Sequence, residues 1–265
     1  MINSQIILFQ FLYTIYITRM YIAFFIIHQN FKFINEKYFT SIHSAILNCV
    51  NDTNHVHIYF NSERDVHKYD KYFRHSRFRL FHHTTTNYTN DIDMAKVCYD
   101  MSTTSGYDYH WIIKLRPDLL IFDPNIFVNL KTKYDSSFIH ARCKLYVGPS
   151  NLKKHHRSNW ESFSHINHHK ESLVIMDDQL YMIPYTLQYF AFTASAMNID
   201  IPNNNNNRKN LQNIFVHSIS IADMQDTPEK KQTVLWNHFD IPLKINEFYV
   251  VLMDDLRIYN LVNIV

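Results

Sequence analysis

The sequence predicts an α/β fold, one domain built on a central, mostly parallel mixed sheet flanked by helices. Three observations carry this. Short apolar runs, residues 21–27 and 111–113 continued by Leu115 among them, are bounded by polar or turn residues and suit strands covered on both faces. Segments with apolar residues at helical spacing lie between such runs. The resulting β-α-β order implies parallel, right-handed units. At 265 residues, 46% hydrophobic and 19% charged, the chain has the composition of a globular protein and the length for one large α/β domain.

The elements follow in order. Residues 6–17 are apolar apart from Gln10 and Thr14, and Arg19 interrupts the run. A signal peptide needs a basic region ahead of its apolar one, and none precedes Arg19. A membrane span needs ~20 apolar residues without a charge. Residues 1–19 therefore read as a hydrophobic extension leading into the domain, 20–265, with a signal-anchor as the alternative. The first core strand is 21–27. Asn35 is a helix N-cap type, and Tyr38, Phe39, Ile42, Ala45, Ile46, Cys49 and Val50 form one apolar stripe behind it. Residues 56–60 are the second strand. Residues 65–79 read as helix plus loop, and 78–81 as a short strand. Asp91 or Asp93 opens a helix whose buried face is Met94, Val97, Cys98 and Met101, and Gly106 ends it. The strand 111–115 comes next, so the order to this point is β-α-β-α-β-α-β.

Residues 137–147 are a further strand, ending at Gly148-Pro149. A short strand, 173–176, precedes Asp177-Asp178-Gln179. Pro184 falls in the first turn of a helix with Leu187, Phe190, Ala191 and Ala194 on its apolar face. The run Asn203 to Asn207 reads as a hinge, followed by a short helix near 211–215 and a strand near 248–253.

Composition excludes several function classes. The two glycines, Gly106 and Gly148, rule out every glycine-rich phosphate loop, so phosphate must be held by a metal, by side chains or by a helix N-terminus. Net charge is +2 and the basic residues are scattered, which argues against a nucleic-acid partner. Cys49, Cys98 and Cys143 are far apart among apolar residues and read as buried thiols. His155, His156, His165, His168 and His169 lack an accompanying Cys or a His-Glu-x-x-His pattern, and read as solvated loop histidines and not a zinc site. Abundant Ile, Asn, Tyr and Phe with scarce Gly suit an AT-rich genome, that of a large DNA virus or a protist.

Residues 107–124, YDYHWIIKLRPDLLIFDP, are the most informative stretch. An apolar strand ends abruptly in Arg116, Pro117 and Asp118. Open α/β sheets bind ligands beyond the carboxyl ends of such strands. Pro117 fixes the backbone between the two charges. A fixed carboxylate there can hold a hard divalent cation, and the cation a diphosphate. Arg116 and Asp118 equally suit a structural ion pair that caps the strand.

This stretch resembles a group of nucleotide-sugar glycosyltransferase-like proteins of the Rossmann-like GT-A type. In that group Arg-Pro-Asp replaces the metal-binding Asp-x-Asp after a Tyr-Asp-hydrophobic strand. Tyr107-Asp108 leads the strand here, and Arg116-Pro117-Asp118 ends it. An Asp-Gln pair follows in the group at about this separation, at the head of a helix, and Asp178-Gln179 matches it. Residues 138–146, FIHARCKLY, resemble the strand between the two motifs. The resemblance implies a GT-A domain that moves a sugar from a nucleotide-sugar donor, a nucleoside diphosphate sugar, to a hydroxyl of a glycan, protein or lipid acceptor. Asp118 is then the metal residue, holding Mn²⁺ or Mg²⁺ against the leaving diphosphate. Asp178 is the catalytic residue, as general base or as the group that orients the acceptor. Arg116, Gln179 and Arg142 bind substrate, with Arg116 and Arg142 suited to phosphate. Arg116 stands where the family has its first Asp, which puts the metal requirement in question. Asp123 is either a second carboxylate or part of a turn, and His217 is a candidate further ligand. Asp178 also suits a plain helix-entry role. The competing expectation is a GT-A-like scaffold without turnover that serves as a structural or binding protein. Location is expected to be cytoplasmic (the host's, for a viral protein), or membrane-anchored through residues 1–19.

Overall fold

The computed structural model describes residues 20–27, 36–51, 54–63, 67–85, 91–147, 153–157, 172–196, 241–245 and 250–252. Strand β1 (Met20–Ile27) is central to the sheet. It pairs in parallel along one edge with β2 (Asn54–Ser62) and along the other with β4 (Trp111–Leu115). Residues Ile22 to Ile27 are wholly buried, because helices cover both faces. Ile22, Phe24 and Ile26 meet Phe39, Ile42 and Ile46 of α1 (Glu36–Cys49). Ala23, Phe25 and Ile27 meet Met94 and Cys98 of α2 (Asp91–Thr104) on the other face. Each large side chain so buried contributes about 1.5–3 kcal/mol. The expected run 21–27 and the α1 stripe thus form the sheet centre and its cover.

The strand order is β3-β2-β1-β4-β8-β6-β7, with β3 Phe78–Thr84, β6 Ile139–Val147, β7 Lys153–Arg157 and β8 Ser172–Pro184. Strands β3, β2, β1 and β4 are mutually parallel. Strand β8 runs antiparallel to both β4 and β6, and β7 antiparallel to β6. A short strand β9 (Leu243–Ile245) joins β6 in parallel. Strand β5 (Leu119–Ile121) leaves the main sheet and pairs antiparallel with β10 (Val250–Leu252). The mostly parallel mixed sheet flanked by helices is therefore present. A short α3 (Leu130–Lys133) follows β5, and α4 (Tyr185–Ala196) packs against α2 through Phe192, whose ring stacks on Tyr99 at 4.5 Å.

Several local expectations need correction. Residues 65–79 hold a 3-10 helix, His67–Phe73, and no α-helix among the described positions. The expected short strand at 173–176 is the first part of the long β8, and Pro184 ends that strand and does not begin the helix. Asp178-Gln179 accordingly lies inside a strand and not at a helix entry. The physical reason is the apolar run that follows it. Leu180, Met182 and Ile183 are buried against Leu115, Ile113 and Ile112 of β4, so the acid pair interrupts one strand. Strand β6 has β8 on one side and β7 and β9 on the other. Asn35, His165, His168, His169, the 203–207 run, the 211–215 helix and His217 lie outside the described residues. Among the described residues no helix is long and apolar enough to cross a membrane, and residues 1–19 are not among them.

Candidate active site at the carboxyl end of β4

Strand β4 ends in a tight turn. The Leu119 backbone N–H donates to the Arg116 carbonyl at 3.3 Å, with Pro117 buried inside the turn. Proline suits this turn position because its φ is already set. The turn places Arg116 and Asp118 face to face. Arg116 Nε donates to Asp118 Oδ1 at 3.0 Å, and Nη2 donates to Oδ2 at 2.7 Å. This is a two-pronged, charge-assisted pair, partly shielded from solvent.

The turn is tied to β8. The Arg116 backbone N–H donates to the Gln179 carbonyl at 2.9 Å, one step beyond the Leu115–Leu180 pair. On the other side of β8 the register with β6 shifts: Ala141 pairs with Tyr181, but Arg142 pairs with Asp177. Residues 178–180 thus form an irregular bulge, three residues of β8 against none of β6, and such insertions bend a strand locally. Asp178 stands in this bulge beside Gln179, which is 2% exposed. Arg142 stands across from Asp177 in the register. The backbone of Arg116 thus meets β8 at Gln179, next in sequence to Asp178, and the backbone of Arg142 meets β8 at Asp177, while Asp118 is joined to this turn through Arg116.

Two neighbouring residues carry chemistry that the sequence reading passed over. Lys114 lies in the middle of the apolar β4 and is 1% exposed. Its Nζ is 3.4 Å from Asp91 Oδ2 and 5.8 Å from the centroid of the Tyr181 ring. Asp91 opens α2, where a carboxylate is favoured by the helix dipole. A lysine inside an apolar strand needs a buried carboxylate partner, and that was the signal available in the sequence. Next to this pair, Thr85 Oγ1 donates to Asn61 Oδ1 at 2.6 Å and Asn61 Nδ2 donates to the Met94 carbonyl at 3.0 Å. The carboxyl ends of β2 and β3 are in this way fastened to α2.

The donor set limits what a metal could do here. A hard divalent cation takes six or more oxygen ligands. At the β4 turn the described residues offer the Asp118 carboxylate, and Arg116 already occupies both of its oxygens. They do not by themselves make a cation site. Asp123 also has a structural task. Its Oδ1 accepts the Asn125 backbone N–H at 2.9 Å and its Oδ2 lies 3.7 Å from Lys133 Nζ, so the turn reading describes it.

Tyr107-Asp108 lies at the opposite, amino end of β4. With Tyr99, Ser102, Tyr185 and Gln188 it lines an open pocket of about 350 Å³. Beneath it, the Tyr109 hydroxyl lies 2.5 Å from His57 Nδ1 and 2.7 Å from the Tyr59 hydroxyl. Burial pushes the Tyr109 and Tyr59 hydroxyls up from the usual phenol range. It also pushes the Cys49 thiol up to about 12 and raises that of Cys98, in keeping with the buried thiols expected.

No family model and no curated protein matches the sequence. Solved structures match the fold. One is the crystal structure of a 4-diphosphocytidyl-2C-methyl-D-erythritol synthase, with TM-score 0.50, 9% identity, and 92% of this chain and 99% of that chain covered. Another is the synthase of the same name from Anaerococcus prevotii DSM 20548, with TM-score 0.50, 7% identity, and 94% and 97% covered. At these identities the likeness is one of fold. It agrees with a Rossmann-like α/β architecture.

Proposed function

We propose that the protein is a nucleotide-sugar-dependent transferase, moving a sugar from a nucleoside diphosphate sugar to an acceptor hydroxyl at the carboxyl end of β4. One observation carries the reading. The hydrogen bond from the Arg116 N–H to the Gln179 carbonyl joins the Arg-Pro-Asp turn to the bulge that holds Asp178. The two motifs meet where open α/β sheets take ligands.

In this reading Asp118 orients the Arg116 guanidinium, which faces the charge that develops on the leaving diphosphate. A cation held in place before the reaction stabilises such charge without reorganising. Asp178 accepts the proton of the acceptor hydroxyl as that oxygen bonds to the anomeric carbon. The bond from that carbon to the phosphate oxygen breaks, and the electron pair leaves with the nucleoside diphosphate. The backbone of Gln179 holds the bulge in register, and Arg142 of β6 is assigned to the donor phosphate.

The shared fold with diphosphocytidyl synthases supports a second reading at the same site, nucleotidyl transfer with attack at phosphorus and loss of pyrophosphate. The sequence favours the first. Residues 28–35, HQNFKFIN, follow β1 without a glycine, whereas a backbone cradle for a triphosphate needs glycine to approach closely.

Calorimetric titration of UDP-, GDP- and CMP-sugars, with and without Mn²⁺, tests the proposal on the wild type and two variants. Asp118→Asn removes half of the charge pair and weakens nucleotide binding about 10-fold, the effect of ~1.4 kcal/mol. Asp178→Asn leaves nucleotide binding intact and lowers transfer ~10²–10⁴-fold. Release of nucleoside diphosphate supports glycosyl transfer, and release of pyrophosphate supports the second reading. Binding of no nucleotide sugar under any condition would replace both with the inactive scaffold. The comparison with and without Mn²⁺ decides the metal role expected of Asp118.

A further inference from the structure

At the far edge of the sheet, three ligand-type side chains converge that no part of the transfer chemistry uses. His67 and Asp70 come from the 3-10 helix, and His82 from the carboxyl half of β3. Asp70 Oδ1 lies 2.7 Å from His82 Nε2, and Asp70 Oδ2 lies 3.4 Å from His67 Nδ1. One ligand atom from each residue lies within 4.8 Å of the others. A tetrahedral zinc ion with bonds of about 2.0–2.2 Å separates its ligand atoms by about 3.4 Å. The two observed contacts, 2.7 and 3.4 Å, lie below and at that value.

We propose that His67, Asp70 and His82 form a binding site for a borderline transition-metal ion of the Zn²⁺ class, distinct from the nucleotide site. Two imidazoles and one carboxylate suit Zn²⁺, Co²⁺ or Ni²⁺, and not the oxygen-seeking Mg²⁺ or Ca²⁺. Aromatic packing supports two of the three residues. The His82 ring lies parallel to Phe60, with centroids 5.3 Å apart and planes 11° apart. Asp70 follows Tyr69, which stacks on Phe39 of α1 at 4.5 Å, and precedes the fully buried Phe73. Two of the three ligands therefore stand on packed supports, as a preorganised metal site requires. His67 is the exposed member, with 64% of its side chain open, so its ring can turn onto an ion that enters from solvent. The His67 and His82 ring centroids lie 4.0 Å apart, so the exposed His67 ring swings away from His82 when both nitrogens take one ion.

The site does not overlap the one at β4. Strand β3 stands three strand positions from β4, roughly 14 Å at the spacing of paired strands. Bound metal would clip the 3-10 helix to the edge strand, two elements that the Asp70–His82 contact and the His67–His82 ring contact already join. It has one protein ligand fewer than a closed structural site, so water completes the shell.

The test uses the full chain. Zn²⁺ is titrated by calorimetry against a competing chelator, and Co²⁺ binding is followed by its visible absorption. The wild type takes up one tight equivalent of Zn²⁺, gives the intense absorption of four- or five-coordinate Co²⁺, and melts at a higher temperature with metal. His67→Ala, at an exposed position, keeps the fold and weakens that equivalent at least ~10-fold, the low end of what disturbing even outer-shell partners does. Asp70→Asn and His82→Gln do the same. Nucleotide binding stays unchanged in His67→Ala. The proposal fails if the wild type takes up no stoichiometric Zn²⁺. It fails equally if H67A/H82Q, folded by circular dichroism, binds Zn²⁺ as tightly as the wild type, which would assign the ion to other histidines among the 17.

Discussion

Lys114 has the most demanding position of any single residue near the site. Its ammonium and the Asp91 carboxylate are both nearly inaccessible, 3.4 Å apart. Removing one partner of such a pair strands the other charge in the interior. Lys114→Met is expected to destabilise the protein by about 3–5 kcal/mol, toward the lower figure because the α2 N-terminus also favours Asp91. Exchanging both, K114M/D91L, recovers most of that loss. Urea unfolding of the two variants checks this; a double variant as unstable as the single one would show that the pair is not what matters. His57 sets a second expectation at this scale. It is 2% exposed, and burial, with smaller contributions from Arg79 and His55, pushes it down to about 4. An unfolded histidine titrates near 6.5. The unfolded chain therefore takes up this proton first, and folding is favoured fully only above about pH 6.5. Stability falls as pH drops from about 6.5 toward about 4, by at most about 1.4 kcal/mol per pH unit for this one group. His43 and His110 are pushed down as well and act in the same direction. A pH series of denaturant melts on His57→Gln should show a shallower acid limb than the wild type.

Elements divide into those that local pattern decides and those that it does not. Helix α2 belongs to the first kind. Its buried Met94 and Cys98 were legible from spacing, and Gly106 takes the left-handed conformation that ends it, with φ +77°. A Cβ built there meets nothing within 4 Å, so the cost of alanine is one of backbone conformation alone. Gly106→Ala should lower stability by about 1 kcal/mol and Gly106→Asn by less, since asparagine tolerates this region better. Thermal melts of the two variants rank them, and equal losses would locate the cost elsewhere. Strand β8 is of the second kind. Asp177-Asp178-Gln179 looks like the head of a helix when read locally, with an apolar run behind acidic residues. The antiparallel partner β4 decides otherwise, because it buries Leu180 to Ile183 as a strand. The polar residues are then absorbed in a bulge against β6, which no periodicity announces. The His67, Asp70 and His82 group shows the same limit. The sequence offers HKYD, and twelve positions beyond Asp70 one histidine among many, and only the pairing of β3 with β2 brings that histidine back.

At the scale of the whole molecule, β1 is the strand on which the sheet depends. It is bonded on both edges and buried on both faces, and it begins at Met20. Deleting residues 1–19 should leave the folded domain with its melting transition, whereas deleting 1–27 should abolish cooperative unfolding. Insolubility of the shorter deletion, with a detergent requirement for the full chain, would instead favour the signal-anchor reading of 1–19. The sequence by itself determined the sheet centre, the helices that cover it and the turn at Arg116-Pro117-Asp118. These depend on continuous apolar runs, helical stripes and one proline, all of which act within a few residues of chain. Only the tertiary structure decided the strand order beyond β4, the bulge at Asp178 and its backbone link to Arg116. It also decided the closing of Arg116 onto Asp118, the burial of Lys114 against Asp91, and the meeting of two histidines and an aspartate at the sheet edge. Those depend on which strands become neighbours, a choice made by the free energy of burying distant apolar surfaces together and invisible to any local pattern.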